Sequence, residues 1–370
     1  MKIYHLSTVH KRYDGRILKK ECVSLVKAGF DVSLVVADGK GDELYAGVKI
    51  IDAGFPGKRR IIRFLKGTKL VRKVIQRDQP DILHFHDPEL LFLARKMAKK
   101  HIVIYDAHED LPKQIMSKSY IKPFLRKTIA HIAGYIEKRT AKKIHGVISV
   151  VDEIVARFQK YQPNTILVAN YPIVNPETTI NFESKNGTIV YAGVVAQIRG
   201  ALEMAKVAKQ IQKPVHIYGP ISNEKLKTEC KYLSHSFAKF YGHVNQETLF
   251  DILKEASIGL IVSHPVPNHL NSSPNKLFEY MVYGMAVVAS DFPVWRNIID
   301  TYQCGICVNP LDVNEVANTI LYLKNNPEIA IEMGKNGRKA VLEYFNWEME
   351  SKKLIDFYHL QIKTPSNAHH

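Results

Sequence analysis

Short apolar runs alternate along the first half of the chain with stretches in which apolar residues recur at helical spacing. Asp14 can cap a first helix, Gly15 opens it, and Leu18, Cys22 and Leu25 recur along it until AGF at 28–30. The apolar runs are rich in β-branched residues, and we predict strands at KIYHLS (2–7), DVSLVVA (31–37), DILHFH (81–86), IVIYDAH (102–108) and GVISVV (146–151). Strands that alternate with helices predict a parallel sheet.

The alternation stops at residues 171–187, YPIVNPETTINFESKNG, where we predict a linker because prolines and polar residues follow no period. It restarts with helices over 200–211 and 245–256 and with the strands TIVYAG (188–193), PVHIYG (214–219), AKFYGHV (238–244), IGLIVS (258–263), AVVAS (286–290) and GICVNP (305–310). We therefore predict an α/β fold of two Rossmann-like domains, residues 1–170 and 188–345. Their parallel sheets are expected to face a central cleft, with ligands beyond the carboxyl ends of the strands.

Composition and charge narrow the class of protein. A chain of 370 residues with 46% hydrophobic and 24% charged residues is ordinary for a globular protein of two domains. We expect a cytoplasmic protein, because no apolar run approaches the roughly 18 residues that span a bilayer and MKIYHLSTVH lacks a signal peptide's apolar segment. Residues 1–170 hold 33 Lys and Arg against 17 Asp and Glu, and the rest holds 19 against 19. The first domain is therefore expected to meet an anionic partner.

Two patterns have the spacing of metal sites. Cys304 and Cys307 form a Cys-x-x-Cys pair, but no second pair accompanies it, and packing around a glycine turn is the favoured interpretation. His84 and His86 share one face of a strand end, with His108 at the next strand end, which would suggest a metal-dependent hydrolase. Asp87-Pro88 is also explained as a helix cap. We expect no bound metal and no cofactor.

The segment SSPNKLFEYM predicts a helix with an anion site at its start. Ser273 can cap the helix, and Pro274 at its first position loses no hydrogen bond. Lys276 in the first turn, together with the free backbone N–H groups, suits a phosphate. Glu279, one turn later on the same face, suits the hydroxyls of a ribose. The alternative is a surface ion pair on an ordinary capped helix.

Other strand ends of the second domain favour the nucleotide interpretation. Gly193, Gly219 and Gly242 each lie at the end of a predicted strand, and glycine permits close approach of the backbone to a ligand. Arg199 lies at the start of the next helix, and His243 follows Gly242. Small or cationic residues at several neighbouring strand ends are less easily explained by packing alone.

The chain resembles a bacterial family-four glycosyltransferase, a retaining enzyme with the double-Rossmann B-type fold. The resemblance covers nearly the full length and is carried by STVHKRYDGRILKKE, DILHFHDPELL, YDAHED, YAGVVAQIRG, SPNKLFEYMVYGMAVVASD and FNWEMESKKLIDFY. It implies that the second domain holds a nucleotide sugar, that the first binds the acceptor, and that a final helix, residues 346–363, crosses back to the first domain.

The resemblance also implies roles for single residues. Glu279 matches the second acid of the family's Glu-seven residues-Glu motif, which holds the ribose, and Gly15 stands in the loop that approaches the donor phosphate. Two departures are that Asn271 replaces the first acid and Val194 replaces a family arginine. The predicted catalytic residues are His108, Arg199 and Lys276. The predicted donor-binding residues are Gly15, Gly193, Arg199, Gly219, His243, Asn271, Ser272, Asn275, Lys276, Leu277 and Glu279. The predicted acceptor-side residues are Asp14, Arg16, Asp87 and Glu109.

Other enzyme and binding classes fit the sequence less well. A nicotinamide dehydrogenase needs a glycine fingerprint that STVHKRYDG lacks, and no nucleic-acid-binding module accompanies the basic half. A sugar-nucleotide epimerase shares the double-Rossmann architecture and is the nearest alternative, although it would need no acceptor. We expect a retaining transfer of a sugar from a nucleotide diphosphate sugar to a glycan or lipid-linked acceptor, without a metal, in surface polysaccharide assembly.

Two basic segments favour contact with an anionic membrane surface. Residues 57–77 predict a helix with one apolar and one basic side, and residues 117–143 add a second cationic, partly apolar patch. The alternative is a helix packed on its sheet with a solvated basic face. We expect the protein to lie peripherally on the inner face of the cell membrane, which suits a lipid-linked acceptor.

Overall fold

The computed structural model describes residues 1–57, 59, 62–118, 121–270, 272–273 and 275–363. Two compact units make up this part of the chain: residues 1–170 together with the helix Trp347–Lys363, and Tyr171–Asn346. Each unit is an α/β domain built on a parallel sheet, which confirms the predicted fold class. Within the described ranges, no helix has both the length and the apolar character needed to cross a bilayer.

The first unit contains an eight-stranded sheet with the order β3-β4-β2-β1-β5-β6-β7-β8. Its strands are β1 Lys2–Leu6, β2 Asp31–Val36, β3 Glu43–Tyr45, β4 Val48–Asp52, β5 Ile82–Phe85, β6 Ile102–Ala107, β7 Gly146–Ser149 and β8 Thr165–Leu167. Neighbouring strands are parallel except at the edge, where β3 runs antiparallel to β4. The five predicted strands are present. The sequence did not predict β3, β4 and β8, and β3 and β8 span only three residues each, too short for a periodic signal.

The helices of the first unit include two stretches that are wound more widely than an α-helix. The α-helices are α1 Val23–Lys27, α2 Thr68–Asp78, α3 Leu91–Met97, α4 Leu111–Ser117, α5 Pro123–Ala141 and α6 Asp152–Gln159. π-Helical turns at Ile17–Cys22 and Arg63–Gly67 run directly into α1 and α2, and a 3₁₀ turn, Pro88–Leu90, precedes α3.

The predicted first helix therefore begins as a π-helix, which the sequence did not predict. The N–H groups of Lys19 and Glu21 donate to carbonyls five residues earlier, those of Asp14 and Arg16, at 3.2 and 2.9 Å. Single π-turns of this kind are frequent at functional sites. In this turn the side chain of Glu21 is fully buried, alongside the apolar positions that predicted the helix.

The second unit contains a six-stranded sheet with the order β11-β10-β9-β12-β13-β14. Its strands are β9 Ile189–Ala192, β10 Val215–Tyr218, β11 Ala238–Gly242, β12 Ile258–Ile261, β13 Ala286–Ser290 and β14 Gly305–Val308. Its helices are α7 Ala201–Ile211, α8 Glu224–Ser234, α9 Gln246–Glu255, α10 Pro267–Leu270, α11 Asn275–Val282, α12 Pro293–Tyr302, α13 Val313–Asn325 and α14 Pro327–Glu343, with a 3₁₀ turn at Gln197–Arg199. All six predicted strands and both predicted helices are present.

The segment predicted as a linker, residues 171–187, is part of the second unit and packs against the rest of it. The Lys185 ammonium donates to the carbonyls of Ala256 and Tyr283, both at 2.7 Å. Burial lowers the pKa of Lys185 to about 8. The Arg338 guanidinium donates to Thr178 O at 2.8 Å. The segment lacks periodicity because its order comes from these contacts and not from a helix or strand of its own.

The Cys304–Cys307 pair lies at β14, and both thiols are free. Between them, a Cβ atom on Gly305 would lie 2.1 Å from the carbonyl oxygen of Val287, so the neighbouring strand requires glycine there. Among the described residues, the groups that could hold a metal ion contain no cysteine. These observations favour the packing interpretation of this motif.

The last helix, α15 Trp347–Lys363, packs against the sheet of the first unit. Trp347, Leu354, Phe357 and Tyr358 are buried there among the apolar residues of β1, β2 and β5. The Trp347 indole N–H donates to Ser24 Oγ at 2.9 Å. This helix therefore belongs structurally to the first unit although Tyr171–Asn346 separates it from residues 1–170 in sequence.

Candidate active site

Three glycines bring the ends of β9, β10 and β11 close together in the second unit. The N–H of Gly193 donates to Tyr218 O, and that of Gly219 donates to Gly242 O, both at 2.7 Å. A Cβ atom on Gly219 would lie 2.0 Å from the carbonyl oxygen of Gly193. Only glycine allows the strand ends to approach this closely, so the structure gives a physical reason for two residues predicted to bind the donor.

The side chain of Lys276 lies across Gly193. A Cβ atom on Gly193 would be 2.3 Å from Lys276 Cε and 2.7 Å from Nζ, and the backbone of Gly193 has φ +143°. The Lys276 ammonium also lies 5.6 Å from the centroid of the Tyr191 ring. The cation at the start of α11 is therefore held over the end of β9, in a space that only glycine leaves open.

The surroundings of Lys276 are positively charged. Burial lowers the pKa of Lys276 to about 8, the charge of Arg199 acts in the same direction, and Glu279 opposes them. Burial also lowers the pKa of His269, and the charges of Arg199 and Lys276 add to that effect. The Arg199 guanidinium lies beside the hydroxyl of Tyr191. A site that holds cations against their mutual repulsion suits an anionic ligand.

The helix α11 is fixed by its buried face. The Tyr280 hydroxyl accepts from Ala192 N at 2.9 Å, and a Cβ atom on Gly259 would lie 2.3 Å from the Tyr280 ring. The Trp295 indole N–H donates to Ser272 O at 2.7 Å and so holds the residues before the helix. Glu279 is exposed on the other face. Rigid support on one face and an exposed carboxylate on the other are what ligand binding by Glu279 requires.

The remaining predicted donor residues differ in what they can offer. Leu277 is fully buried in the core, so its side chain has no free surface. The Ser272 hydroxyl donates to His269 O at 3.0 Å, whereas Asn275 and His243 are exposed. Val194, which replaces a family arginine, is 44% exposed. Asn271 and Pro274 lie outside the described residues.

In the first unit, Asp87 holds the loop that follows β1. Its buried carboxylate accepts from the backbone N–H of Thr8, from Val9 N at 3.2 Å and from Ser7 Oγ at 3.2 Å. It makes no side-chain cap bond to the turn Pro88–Leu90. Asp87 does stand at the N-cap position with Pro88 in the first turn, as the cap interpretation expects, but its side-chain oxygens are taken up by the loop.

Asp14 caps the first helix as predicted. Its Oδ1 accepts from Arg16 N and Ile17 N, both at 2.9 Å. Burial favours the neutral acid, but the bonds from His10 and from these backbone groups outweigh it and lower the pKa of Asp14. Gly15 is exposed, and a Cβ atom there would meet no atom within 4 Å. Its own environment therefore gives no packing reason for glycine.

Arg16, predicted on the acceptor side, uses its guanidinium inside the protein. Its Nε lies 3.0 Å from Asp106 Oδ2 and 2.9 Å from Glu21 Oε1, and Nη1 donates to Val168 O at 2.9 Å. The side chain is only 4% exposed. This geometry indicates that Arg16 positions Asp106 and does not extend its guanidinium to a ligand. Glu109, by contrast, is exposed and contacts Gln114.

His108 is oriented by the carboxylate that Arg16 holds. Its Nε2 lies 3.2 Å from Asp106 Oδ2 and 3.1 Å from His86 Nδ1. Burial lowers the pKa of His108 to about 3, against the opposing charge of Asp106, so the imidazole is neutral. With the Nε2 proton directed to Asp106, Nδ1 keeps a lone pair that can accept a hydrogen bond from a hydroxyl.

Sequence reasoning missed a histidine beside His108. The ring of His10 lies 4.9 Å from that of His108, and its Nδ1 lies 3.4 Å from Asp14 Oδ2. Burial opposes protonation, but Asp14 and Asp87 outweigh it and raise the pKa of His10. The signal was present in STVHKRYDG, where His10 precedes Asp14 by four residues. Asp106, Tyr191 and His269 were also missed, because their roles depend on contacts distant in sequence.

Two parallel-sheet α/β domains of this order are the architecture of the B-type glycosyltransferases, and the protein is such an enzyme. The chain belongs to the family-four glycosyltransferases. The family description Glycosyltransferase Family 4 matches residues 15–177, and Glycosyl transferases group 1 matches residues 185–326. Together the two matches cover most of both units, and the predicted family and enzyme class are confirmed.

Known proteins similar to the chain agree with this assignment. Phosphatidyl-myo-inositol mannosyltransferase of Mycolicibacterium smegmatis is 23% identical over 336 residues, which are 86% of this chain and 81% of the relative. The structure of sucrose-phosphate synthase from Thermosynechococcus elongatus matches with a TM-score of 0.76 at 16% identity, covering 98% of this chain and 99% of that one. Anabaena HepE in complex with UDP matches with a TM-score of 0.71 at 14% identity, covering 97% and 100%. At these identities the structures show a shared fold.

The lowered pKa of Lys276 predicts that affinity for a nucleoside diphosphate falls as the pH rises above about 8. The anion needs the ammonium, whose fraction falls about tenfold per pH unit above its pKa. The bound anion raises the pKa of Lys276 in the complex. The affinity therefore stops falling at the higher pH where Lys276 in the complex also loses its proton. Calorimetry from about pH 7 to 10 measures the profile. The same slope in Lys276→Ala would contradict this assignment.

Gly193→Ala is expected to weaken diphosphate binding about tenfold, because the new methyl group would displace Lys276 from its position over the strand end. Calorimetry with the same diphosphate in the Lys276→Ala background provides the control, since the two substitutions should not add. A full additional loss in the double variant would mean that Gly193 acts through something other than Lys276.

Proposed function

We propose that the protein transfers a sugar, with retention of configuration, from a nucleotide diphosphate sugar to a glycan or lipid-linked acceptor. The observation that carries this proposal is the cationic site of the second unit, in which Lys276 lies over Gly193 beside Arg199. A diphosphate brings the anionic charge that this site lacks. Two relatives support it by name: HepE forms a complex with UDP, and the mycobacterial relative is a mannosyltransferase of phosphatidyl-myo-inositol.

The proposed roles follow the geometry of each unit. In the second unit, Lys276, Arg199 and the free N–H groups of α11 bind the diphosphate, and Glu279 binds the ribose hydroxyls. In the first unit, His108 accepts a hydrogen bond from the transferred sugar through Nδ1, while Asp106 fixes its ring. Fixed cations stabilise the negative charge that grows on the diphosphate as the glycosidic bond breaks.

Retention of configuration follows from the family resemblance, and we propose a front-face route for it. The acceptor oxygen bonds to the anomeric carbon on the face that the diphosphate leaves. The electron pair of the broken bond goes to the diphosphate oxygen, and the acceptor's proton passes to a phosphate oxygen of the departing group. In this route the enzyme's contribution is orientation and electrostatic stabilisation.

Thermal stabilisation by a panel of nucleoside diphosphates and their sugars tests the function. Free ligand at about 100 times its dissociation constant stabilises a protein by roughly 2.7 kcal/mol. We expect a diphosphate to raise the melting temperature more than the matching nucleoside does. The stabilising sugar nucleotide is then incubated with and without acceptor extracts. If no nucleotide stabilises the protein, the proposed nucleotide diphosphate donor fails, and conversion of the sugar nucleotide without any acceptor would contradict the proposed transfer to an acceptor.

We further propose that α5 of the first unit lies on an anionic membrane surface and gives access to a lipid-linked acceptor in surface polysaccharide assembly. The helix exposes Phe124, Leu125, Ile129, Ile132 and Tyr135. At 3.6 residues per turn these side chains share one side of the helix. Exposed basic residues flank them: Lys122, Lys127, Lys138 and Arg139. An apolar strip bordered by cations is typical of an interfacial helix.

The other basic segment, residues 57–77, contributes less apolar surface. Its helix α2 buries Val71, Val74 and Ile75 in the core of the first unit. This burial favours, for α2, the alternative of a helix packed on its sheet. Leu65, in the preceding π-turn, is 63% exposed beside Lys66. Ile61 lies outside the described residues. Among the described residues of the two basic segments, the exposed apolar side chains are therefore concentrated on α5.

Binding to vesicles is expected to depend on both charge and the apolar strip of α5. The protein should sediment with anionic vesicles at low salt and be released as salt rises, because screening weakens surface attraction. Replacing Phe124 and Ile132 with serine should weaken sedimentation, whereas the matched change of Tyr232, exposed on the second unit, should not. Equal binding to neutral and anionic vesicles would contradict the electrostatic part of the proposal.

A further inference from the structure

Four buried polar side chains from three segments of the first unit point their potential ligand atoms at one another. His5 lies on β1, His84 on β5 and His86 directly after it, and Glu21 lies in the π-helical turn. Their exposed fractions are between 0% and 2%. One ligand atom from each lies within 4.8 Å of the others. Buried polar groups are usually hydrogen-bonded or paired.

The distances suit a tetrahedral zinc ion. His5 Nδ1 lies 2.9 Å from His86 Nε2 and 3.7 Å from Glu21 Oε2, and His86 Nε2 lies 3.9 Å from Glu21 Oε2. Ligand atoms about 2.0–2.1 Å from Zn²⁺ at tetrahedral angles are about 3.4 Å apart. These three distances bracket that value, and the ligand atom of His84 lies within 4.8 Å of the other three.

Two members of the cluster lack hydrogen bonds that their burial demands. His84 Nε2 is fully buried and has no hydrogen-bond partner in the described part of the chain. The Glu21 oxygens likewise receive no hydrogen bond there, although Oε1 lies 2.9 Å from Arg16 Nε as an ion pair. A buried polar group without a hydrogen bond destabilises the folded chain. A cation at the centre of the cluster would satisfy both residues.

The opposite ring atoms of the histidines are already held. The Tyr358 hydroxyl lies 2.7 Å from His84 Nδ1 and 3.3 Å from His5 Nε2, and Asp106 Oδ2 lies 3.6 Å from His86 Nδ1. Outer partners of this kind orient the ring and direct the lone pair of the other nitrogen at a metal.

We propose that His5 Nδ1, Glu21 Oε2, His84 Nε2 and His86 Nε2 bind a structural divalent metal ion, Zn²⁺. The site goes beyond the proposed transfer reaction and does not depend on it. Three imidazoles and one carboxylate are ligands that Zn²⁺ prefers, and four protein ligands leave no open position for substrate, as in structural sites. The ion would cross-link β1, β5 and the π-helical turn, with Tyr358 of α15 as an outer partner.

A second group, His86, Asp106 and His108, could also hold an ion but is the weaker candidate. Asp106 already pairs with Arg16 at 3.0 Å, and His108 Nε2 lies 3.2 Å from the same carboxylate. A cation among them would displace contacts that are already made. The two groups are distinguished by His108, which belongs only to the second, and by His84, which belongs only to the first.

Metal analysis of the full-length protein tests the site. The chain is stripped with chelator, loaded with Zn²⁺, passed through gel filtration and measured by elemental analysis, and we expect about one ion per chain. Loading with Co²⁺ should give the visible absorption of a tetrahedral site. Chelation should lower the melting temperature. Wild-type protein that retains no ion, or a Co²⁺ spectrum of octahedral type, would overturn the proposal even if every variant failed to fold.

Variants locate the ion. His84→Leu and Glu21→Gln should lose it, and Tyr358→Phe should weaken its affinity about 10- to 100-fold, the usual effect of removing an outer partner. His108→Ala is the matched control and should keep the ion. Circular dichroism checks that each variant is folded. An ion that is lost from His108→Ala but retained by His84→Leu would assign the metal to the other group and refute this site.

Discussion

Lys276→Ala is expected to weaken the binding of nucleoside diphosphates and of diphosphate donors by about 10- to 150-fold. Its ammonium lies over Gly193 at the strand end, beside Arg199, where it can meet a diphosphate. A hydrogen bond to a charged group contributes roughly 1.5–3 kcal/mol, which corresponds to this range. The bare nucleoside has no phosphate and should bind almost as it does to the wild type.

Glu279→Gln is the matched control for this prediction. The substitution keeps the shape of the side chain and removes the charge that we assign to the ribose. It should therefore weaken nucleoside, monophosphate and diphosphate by a similar factor. Calorimetry of both variants with these three ligands separates the two roles. If all six affinities remain within about twofold of the wild type, α11 is only a well-packed helix that binds no nucleotide.

His108→Ala is expected to lower turnover by about 100-fold or more while leaving nucleotide affinity within about twofold. The Nε2 side of the ring is bound to Asp106, so only Nδ1 is free to reach the transferred sugar. A preorganised group that strengthens its bond towards the transition state acts on kcat more than on binding, and losses of about 10²–10³ are typical. Steady-state kinetics with the stabilising sugar nucleotide, together with calorimetry of its diphosphate, make the comparison.

His101→Ala is the matched control, because His101 is a half-buried histidine of the same unit whose Nδ1 lies 2.7 Å from Pro80 O. It should change turnover little. Melting temperatures of both variants show whether packing is affected. An equal loss of diphosphate affinity and turnover in His108→Ala would move His108 from the sugar to the nucleotide site or to the scaffold.

Local signals in the sequence predicted most strands, the helix α11 and the cap at Asp14. Each of these depends on residues a few positions apart: alternating or continuous apolar runs for strands, helical spacing for α11, and a short polar side chain before a helix for Asp14. The edge strand β3 and the strand β8 were missed because three residues carry no period. The π-helical turn was missed because its apolar spacing is also that of an α-helix.

The candidate site was predicted residue by residue but not in its contacts. Lys276 and Gly193 were each named from their own segments, and the sequence contains nothing that says one covers the other. Arg16 was predicted to face the acceptor, whereas the fold places Asp106 and Glu21 around its guanidinium. Charge and position along the chain do not show which partner a long side chain will reach.

The sequence by itself determined the two α/β domains, the family and the residue types available for chemistry, because these follow from local periodicity and from short motifs. Only the tertiary structure decided which of those residues meet. The buried cluster of His5, Glu21, His84 and His86 joins three segments with Tyr358 of the last helix behind it. Such contacts arise when strands distant in sequence pair in one sheet and their side chains are removed together from water. Burial then shifts the pKa values of these side chains and leaves some of their polar atoms without a hydrogen bond. This effect depends on the folded chain and not on any motif in the sequence.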